Sequence, residues 1–381
     1  MKYRKLGRTG MTVSEISLGC EHLQGKSYET VKSVIDRARM AGVNFLDVFM
    51  SEPQVRTDIG CALAGKRQSV MIQGHIGACW VNGQYQVSRD LEKCKFFFED
   101  LLTRLQTDYI DVGMIHFLDK PEEWDAFVHS ETMEYVRQLR ATMKIRAVGL
   151  SCHDPITAKK AVDSGLINVL MFSINPAYDL MPKEHSLIDM FEGKALDFSA
   201  CTPEPARAEL YRACEEKGVA ITVMKSLAAG TLLSRERSPL GVEMTVGQCL
   251  RYALTRPAVD AVMLGMQTPE EVDQAVQYFD LPEEATDYAA ALAGVRMFAD
   301  GRCMYCNHCL PCPAGIDIAA VNKYLDLVQL DGKAPESVAG HYLSMKATGG
   351  DCIACGACEK RCPFGVQTVK RMARAREVFG A

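Results

Sequence analysis

Two cysteine runs near the end of the chain constrain its fold more than any other feature. The first is Cys303-x2-Cys306-x2-Cys309-x2-Cys312-Pro313, and the second is Cys352-x2-Cys355-x2-Cys358-x3-Cys362-Pro363. A [4Fe–4S] cluster needs four soft thiolate ligands, and one C-x-x-C-x-x-C loop can supply three of them. Cysteines at this spacing therefore predict two [4Fe–4S] clusters. Structural zinc would use two C-x-x-C pairs, and disulfide scaffolds are usually small secreted chains, so neither alternative fits these runs.

The fourth ligand of each cluster is predicted to come from the other run. In bacterial two-cluster ferredoxins the cysteine before proline ligates the other cluster. Two ligand sets follow, which are Cys303, Cys306, Cys309 and Cys362 for one cluster, and Cys352, Cys355, Cys358 and Cys312 for the other. The first run differs from the ferredoxin pattern because two residues, not three, precede its last cysteine.

Composition places the chain among soluble globular proteins with more than one domain. It has 381 residues, of which 48% are hydrophobic and 24% charged, and a net charge of −5 that gives no reason to expect nucleic acid or an anionic membrane as partner. Residues 1–10 lack the apolar stretch of a secretory signal, and no apolar run approaches the roughly 18–20 residues of a membrane span. We expect a cytoplasmic protein, in an anaerobe or a reducing cytosol, because such clusters are sensitive to oxygen.

Residues 1–280 alternate short apolar segments with longer amphipathic ones. The strand-like segments are Glu15–Cys20, Asn44–Phe49, Val70–Ile76, Tyr109–Phe117, Ile145–Cys152, Val169–Asn175, Ala220–Ser226 and Val259–Met266. The helical patterns between them include Thr30–Ala41, Leu91–Leu105, Glu131–Thr142, Pro155–Ser164, Pro205–Lys217 and Thr245–Leu254. Eight strands, each followed by a helix, predict an α/β fold of the (β/α)8, or TIM, barrel type. A doubly wound open sheet is the alternative, but it would normally have a glycine-rich turn after an early strand, and residues 17–25 contain none.

The predicted domains are a barrel at 1–280, a helical connector at 281–298, and a ferredoxin-like domain at 299–381 with a C-terminal helix. We expect a long loop at 179–203, a loop at 78–87, a helix near 318–330 and a final helix at 367–380. Because no low-complexity linker interrupts the chain, a module docked on the barrel is favoured over one on a flexible tether.

Polar residues recur at the ends of the predicted strands, which is where a TIM barrel places its catalytic groups. These residues are Glu21, His22, Asp47, His75, His116, Ser151, His153, Asn175 and Lys225. A single buried histidine is more often structural than catalytic. Several at one end of a barrel favour proton transfer, because imidazole titrates near neutral pH.

Residues 1–280 resemble the aldo/keto reductase family. The matching segments are KYRKLGRTGMTVSEISLG, AGVNFLDV, DYIDVGMIH, RAVGLSCHDP, EEKGVAITVMKSLAAGTL and VDAVMLGMQTPEEVDQA. With the cysteine runs, the whole chain resembles the branch of that family with a C-terminal ferredoxin-like domain. The resemblance implies an oxidoreductase that transfers hydride between a nicotinamide cofactor and a carbonyl, using an Asp, a Tyr acid, a Lys and a His.

Two of those four catalytic residues are present. Asp47 matches the Asp and His116 matches the His, but Glu52 stands at the position of the Tyr and His75 at that of the Lys. A carbonyl reduction still needs an acid to protonate the developing alkoxide. We predict His75 as that donor, because Asp47 beside it would favour the imidazolium. His116, Glu52 and Tyr85 are the further candidates.

The resemblance also implies a nicotinamide site, in which Ser151 and Asn175 would hold the amide of the ring. The full set of predicted cofactor-binding residues is Ser151, Asn175, Lys225, Gly265 and Gln267. Family members that bind a 2′-phosphate often have a basic residue just after strand eight, and 265–268 contains none. NADH is therefore favoured over NADPH, although the helix that opens at Pro269 could receive a phosphate through its N-terminal amides.

Three functions remain open at this stage. The leading one is an oxidoreductase that couples electrons from two [4Fe–4S] clusters, a nicotinamide cofactor or both to the reduction of a small carbonyl substrate. The second is an electron relay with a catalytically degenerate barrel. The third is a metal-dependent lyase with Glu21, His22, His75 and His116 around a divalent ion. The expected partners are a small-molecule substrate and a redox partner protein, and the oligomeric state is open.

Overall fold

Eight parallel strands close into a barrel in the computed structural model, which describes residues 1–179, 205–293, 301, 303–328 and 332–381. The barrel strands are β1 Ile16–Gly19, β2 Phe45–Val48, β3 Met71–Ile76, β4 Ile110–Ile115, β5 Ile145–Cys152, β6 Val169–Ser173, β7 Ala220–Met224 and β8 Val259–Leu264. Each strand pairs with its neighbours in sequence, and β8 pairs with β1. Every strand lies within a predicted segment, so the predicted (β/α)8 barrel is confirmed.

The barrel interior is filled by apolar side chains. Met114, Met171 and Met263 lie in one buried cluster, together with Leu6 and Val13 from the N-terminal segment. That segment forms an antiparallel hairpin of Tyr3–Lys5 and Thr12–Ser14. Arg4 Nη1 of the hairpin donates to the carbonyl of Val259 at the start of β8, at 2.7 Å. The hairpin therefore covers the N-terminal end of the barrel and leaves the opposite end for chemistry.

Seven helices of the barrel region are described: Tyr28–Met40, Pro53–Ala62, Leu91–Arg104, Pro121–Val128, Glu131–Ala141, Pro155–Asp163 and Pro269–Val276. Several begin at a side chain that accepts a hydrogen bond from the first turn, such as Ser27, Asp90, Ser130 and Asp154. These caps satisfy amides that the helix itself leaves unpaired. The helices predicted at 30–41, 91–105, 131–142 and 155–164 are confirmed to within two residues at either end.

The segment predicted as a loop at 78–87 is a β-hairpin, so that prediction is wrong. Strands Ala78–Val81 and Gln84–Val87 pair antiparallel. Asn82 and Gly83 join them with φ of 54° and 75°, and Asn-Gly is the pair that a tight two-residue hairpin turn prefers. Gly77 precedes the hairpin with φ of 99°, and a Cβ there would lie 2.8 Å from the carbonyl oxygen of Ser88. We call residues 78–87 the side hairpin.

A second compact unit contains residues 174–217, 227–257 and 282–381. Its described helices are Pro176–Asp179, Pro205–Lys217, Val246–Leu254, Tyr288–Leu292, Ile318–Asp326, Glu336–Leu343, Ala357–Arg361 and Thr368–Phe379. The helices predicted at 205–217 and 245–254 are confirmed, and those predicted near 318–330 and 367–380 are confirmed with shorter bounds. Of the predicted loop 179–203 and the connector 281–298, residues 180–203 and 294–298 lie outside the described residues.

The cysteine-rich module has its own small core and also packs on the helices of this unit. Ile318, Tyr342 and Met372 lie in a buried apolar cluster of the module. Arg212, on the helix Pro205–Lys217, donates to the carbonyl of Leu327 at 3.1 Å. The docking of this module on the barrel and the domain boundaries at 280 and 299 stay predictions. No helix in the described ranges is long and apolar enough to cross a membrane.

Candidate active site

Four side chains at the open end of the barrel form a continuous line of hydrogen bonds. Nε2 of His75 lies 3.0 Å from Oδ1 of Asp47, and Nδ1 of His75 lies 2.7 Å from Nδ1 of His116. The hydroxyl of Tyr85 bonds to Nε2 of His116. Asp47 lies in β2, His75 in β3 and His116 just after β4, so three neighbouring strands supply the inner members, and the side hairpin supplies Tyr85. We call these four residues the histidine relay.

The relay runs from the protein interior to solvent. Asp47, His75 and His116 are 3%, 2% and 5% exposed, whereas Tyr85 is 44% exposed. Tyr85 is therefore the member of the relay that lies closest to solvent. The structure brings together Asp47, His75 and His116, as the sequence predicted, and adds Tyr85 as their outer end.

Burial fixes the protonation of the outer half of the relay. It lowers the pKa of His116 well below the ordinary value, and the nearby charges of His75 and Arg89 act in the same direction. Burial also raises the pKa of Tyr85 to about 12, against the opposing charge of Arg89. A neutral His116 carries one N–H, and the protonated Tyr85 hydroxyl is a donor. One consistent arrangement has Tyr85 donating to His116, His116 to His75, and His75 to the Asp47 carboxylate.

Neighbouring side chains hold the relay in place. Nε2 of Gln73 donates to Oδ1 of Asp47 at 2.8 Å, so the buried carboxylate has a second donor. The ring of Phe49 stacks on His116 with centroids 5.8 Å apart and planes within 7°, and it meets Tyr85 edge-on. These contacts restrict rotation of the rings, which keeps the hydrogen bonds aligned.

Glu52 has a different contact set. It is the N-cap of the helix Pro53–Ala62, and its two carboxylate oxygens accept from the backbone N–H groups of Gln54 and Val55 at 3.0 and 2.7 Å. None of the contacts described for this part of the chain joins it to the histidine relay. A part for Glu52 in proton transfer stays a prediction.

The two residues predicted to hold the nicotinamide amide are both buried at strand ends. Ser151 is 4% exposed at the end of β5, and its carbonyl accepts from the N–H of Leu118. Asn175 is fully buried just after β6, and its Oδ1 accepts from the N–H of Tyr178 at 3.0 Å. Their binding role stays a prediction.

The segment after β8 is packed and carries negative charge. A Cβ at Gly265 would lie 2.1 Å from Cδ2 of His22, so this glycine leaves the space that the imidazole fills. The backbone N–H of Gln267 donates to Oε2 of Glu271 at 2.7 Å. A carboxylate therefore already accepts from an amide beside the start of the helix Pro269–Val276.

Lys225, predicted as a cofactor-binding residue, belongs to a second line of hydrogen bonds. Its Nζ lies 3.2 Å from Nε2 of His153, and Nδ1 of His153 lies 2.9 Å from Oδ2 of Asp119. The N–H of His153 also donates to Oδ1 of Asp119 at 2.6 Å. We call Asp119, His153 and Lys225 the lysine triad. Sequence reasoning missed Asp119, although it follows β4 by only four residues, in the strand-end zone where such groups are expected.

The metal-dependent lyase would need Glu21 and His22 close to His75 and His116. Glu21 and His22 instead lie exposed on the short 3-10 helix Cys20–Leu23. In the parts of the chain that the structure describes, no group of three or more His, Cys, Asp or Glu side chains is arranged to hold a single metal ion, as distinct from a four-iron cluster. The geometry therefore gives this alternative no support.

The eight cysteines of the two runs line two separate cavities. One cavity is lined by Cys303, Cys306, Cys309 and Cys362, and the other by Cys312, Cys352, Cys355 and Cys358. These are the two predicted ligand sets, including the exchange of the last cysteine between runs. Four thiols around each cavity fit a [4Fe–4S] cluster, whose chemistry is one-electron transfer.

The two cysteine loops share one backbone pattern. Tyr305 and Asn307 in the first loop have φ of 57° and 68°, and Ala354 and Gly356, at the equivalent places in the second, have φ of 54° and 68°. Left-handed residues at these positions curl each loop, and the N–H of Ala354 lies 3.4 Å from Sγ of Cys352. The repeated conformation supports the same ligand chemistry in both loops. It agrees with the four cysteines around each cavity.

Comparison with known proteins identifies two regions of the chain. Residues 15–246 match the aldo/keto reductase family, and residues 302–372 match the 4Fe-4S dicluster domain. The first match covers more than half of the 381 residues. Uncharacterized oxidoreductase YqkF from Bacillus subtilis (strain 168) is 27% identical over 290 residues, which cover 73% of this chain and 90% of that relative.

Further relatives agree with these matches. Aldo-keto reductase YhdN from the same organism is 28% identical over 199 residues, covering 48% of this chain and 56% of that relative. Among solved structures, the holo form of aldo-keto reductase AKR11C1 from Bacillus halodurans superposes with a TM-score of 0.59 at 23% identity, covering 75% of this chain and 94% of that chain. Its apo form gives a TM-score of 0.51. The solved structures support the fold alone.

Proposed function

Because the chain belongs to the aldo/keto reductase family and carries a 4Fe-4S dicluster domain, it is an oxidoreductase, and we propose that its barrel reduces a small carbonyl substrate with Tyr85 as proton donor. The observation that carries the proposal is the histidine relay. The family's Tyr and Lys positions hold Glu52 and His75 in this chain. The relay supplies a hydroxyl at the barrel mouth from another element, with a path behind it for a replacement proton.

The relay can deliver one proton without leaving a phenolate at the surface. Before transfer, His75 carries two N–H groups and the Asp47 carboxylate balances its charge. Tyr85 gives its proton to the developing alkoxide and takes one from His116, which in turn takes one from His75. The neutral His75 that remains still donates to Asp47, and His116 is neutral before and after the transfer, as its lowered pKa favours. Each proton that moves within the relay follows a hydrogen bond present in the structure.

A nicotinamide bound at the barrel mouth would supply the hydride, and we propose NADH in preference to NADPH. The support is the carboxylate of Glu271, which accepts from the N–H of Gln267 beside the helix Pro269–Val276. A negative charge there opposes a 2′-phosphate, since like charges repel at close range. Ser151 is proposed to bind the amide of the ring.

The two cluster loops differ in access, which supports an external redox partner for the second. Ile353 is 66% exposed and Cys355 is exposed, whereas Met304 and Cys306, at the equivalent places in the first loop, are 4% and 9% exposed. One-electron transfer to another protein needs a cluster close to the surface. We therefore propose that a redox partner protein exchanges electrons at the cluster held by Cys352, Cys355, Cys358 and Cys312.

The test of the proposed reductase is Tyr85→Phe, assayed by NADH oxidation with a panel of small aldehydes and ketones under anaerobic conditions. We expect kcat to fall by about 10²–10⁴-fold, the usual contribution of a general acid, with a much smaller change in KM. Tyr28→Phe is the matched control, because Tyr28 is 37% exposed at the start of a helix and outside the relay. A Tyr85→Phe protein with near-normal kcat would show that another group is the donor.

A further inference from the structure

The lysine triad lies at the open end of the barrel and has no part in the histidine relay. Lys225 follows β7, His153 follows β5, and Asp119 lies in the segment after β4. We propose that Lys225 is a nucleophile that captures an enolisable aldehyde or ketone as a Schiff base, with His153 as its base and Asp119 orienting His153. This activity needs neither hydride nor cluster.

The hydrogen bonds of Asp119 determine which ring nitrogen of His153 carries the proton and which carries the lone pair. Both oxygens of Asp119 accept from His153, one from the backbone N–H at 2.6 Å and one from Nδ1 at 2.9 Å. The proton of a neutral His153 is therefore on Nδ1, and Nε2 faces Nζ of Lys225 at 3.2 Å as an acceptor. An amine, an imidazole and a carboxylate in this order have the geometry of an activated nucleophile.

Burial favours the neutral form of the Lys225 amine, which is the nucleophilic form. It lowers the pKa of the ammonium, against the opposing charges of Asp119 and Glu21. The lowered pKa makes loss of the ammonium proton less unfavourable. Desolvation is the general way in which proteins turn a lysine into a nucleophile.

Backbone strain at the same place is the second observation. Lys225 has φ of 58°, and Phe117, whose ring meets His153 with centroids 5.3 Å apart, has φ of 51°. Left-handed conformations are unfavourable at residues of this size, and they concentrate at functional sites. Phe117 is also 42% exposed, so it offers an apolar surface beside the amine for the carbon chain of a substrate.

The proposed step balances as follows. The Lys225 ammonium passes one proton to His153, and the neutral amine attacks the carbonyl carbon to form a C–N bond. The carbonyl oxygen becomes the hydroxyl of a carbinolamine by taking a proton from the amine nitrogen. The imidazolium of His153 then protonates that hydroxyl, which leaves as water and gives the iminium. The sum is ammonium plus carbonyl to iminium plus water, with no change of oxidation state, and neutral His153 is left beside the acidified α-carbon as a base.

The experiment traps the iminium in the whole protein, purified anaerobically and free of nicotinamide. Protein is incubated with propanal or acetone and then with cyanoborohydride, and the product is analysed by intact mass and peptide mapping. We expect one adduct per chain, on the peptide that contains Lys225, at carbonyl concentrations that leave exposed lysines unmodified. Lys225→Met should abolish that adduct. His153→Gln should slow its formation by about 10²–10⁴-fold, as expected for loss of a general base.

Lys120→Met is the matched control, because the side chain of Lys120 is 70% exposed in the same segment as Asp119. It should trap at the normal rate. Lys225→Arg, which keeps the charge, replaces Lys225→Met if the latter does not fold, and it should also fail to trap. Adducts spread evenly over surface lysines, or an unchanged adduct in either Lys225 variant, would overturn the proposal.

Absence of trapping in the native protein would also overturn it. Weaker NADH binding in Lys225→Met, which removes the charge, could accompany that result. That would assign Lys225 to anion binding. The outcome is independent of the reductase activity, since Tyr85→Phe should trap normally. The His153→Gln variant should lose trapping but should still reduce the carbonyl substrate with NADH at a measurable rate.

Discussion

At the residue scale, the proposed proton transfer rests on the histidine relay, because the family's Tyr and Lys positions hold Glu52 and His75 in this chain. The buried Asp47 carboxylate is satisfied by His75 and Gln73, so its charge is not left unpaired. A charge buried at 3% exposure without such partners would be strongly unfavourable. In the proposed mechanism, a negative charge on Asp47 would balance the extra proton on His75 that Tyr85 would finally deliver.

His75→Gln tests the inner half of the relay. Glutamine can still donate to Asp47, but it cannot carry the extra proton, so kcat should fall by about 10²–10⁴-fold with little change in KM. Steady-state kinetics with NADH and the best carbonyl of the panel would measure this. His129→Gln, an exposed histidine at the C-cap of the helix Pro121–Val128, is the control. Normal turnover in His75→Gln would mean that Tyr85 is reprotonated directly from solvent.

At the element scale, the side hairpin matters because it carries Tyr85 to His116. Its first residue, Ala78, follows Gly77, whose φ of 99° is one that only glycine adopts easily. The carbonyl of Gly77 accepts from the N–H of Ser88 at 2.8 Å, which closes the base of the hairpin. The position of the tyrosine hydroxyl therefore depends on a turn that lies eight residues before it.

Gly77→Ala should displace the hairpin. A Cβ at this position would lie 2.8 Å from the Ser88 carbonyl oxygen, in addition to the strain of the backbone. We expect the free energy of unfolding to fall by about 1–3 kcal/mol and kcat to fall together with it. Denaturant unfolding and kinetics would measure both. Gly83→Ala is the control, because Gly83 has φ of 75° with no atom near its added Cβ, so it should lose stability but keep more of its turnover.

The elements that sequence reasoning found and missed differ in how much apolar surface they bury. The barrel strands are apolar because both faces are covered, and the cluster ligands follow from the spacing that a cubane needs. In the side hairpin the second strand, Gln84–Val87, is exposed at all four residues, so it buries no apolar face that would mark it as a strand. The helix Pro53–Ala62 was missed because it buries Arg56 and Asp58 alongside apolar residues, which hides its amphipathic pattern.

The contacts of the site were harder to predict than its members. Asp47, His75 and His116 were placed correctly because they end three consecutive strands. The link to Tyr85 depends on the twist of an exposed hairpin, and the pairing of Asp119 with His153 depends on the path of the segment after β4. Neither leaves a periodic signal in the sequence.

At the scale of the whole molecule, iron should hold the cysteine-rich module together. Cys358 is part of its apolar cluster, and Cys309, Cys312 and Cys352 pack against that cluster. Anaerobically purified protein should contain about eight iron and eight sulfide per chain. Chelation of the iron should expose residues 303–366 to protease while the barrel strands stay resistant, because ligand binding supplies folding free energy in small metal domains.

Limited proteolysis with mass spectrometry would measure how much chelation increases the digestion of the module. Cys306→Ala should cause part of that increase without a chelator, because the substitution removes one ligand from the cavity of the first loop. Cys61→Ser is the control, since Cys61 lies outside both runs. Equal digestion of barrel and module after chelation would show that the two do not unfold separately.

The two cysteine loops differ in solvent exposure, and this difference predicts the order in which air would damage their clusters. Dioxygen reaches a cluster by diffusion to its edge, and Cys355 is exposed where Cys306 is only 9% exposed. Damage should therefore be stepwise, with a half-loaded protein as a long-lived intermediate. In that intermediate the proposed electron exchange with a redox partner would be lost first, while the proposed reduction by NADH would continue.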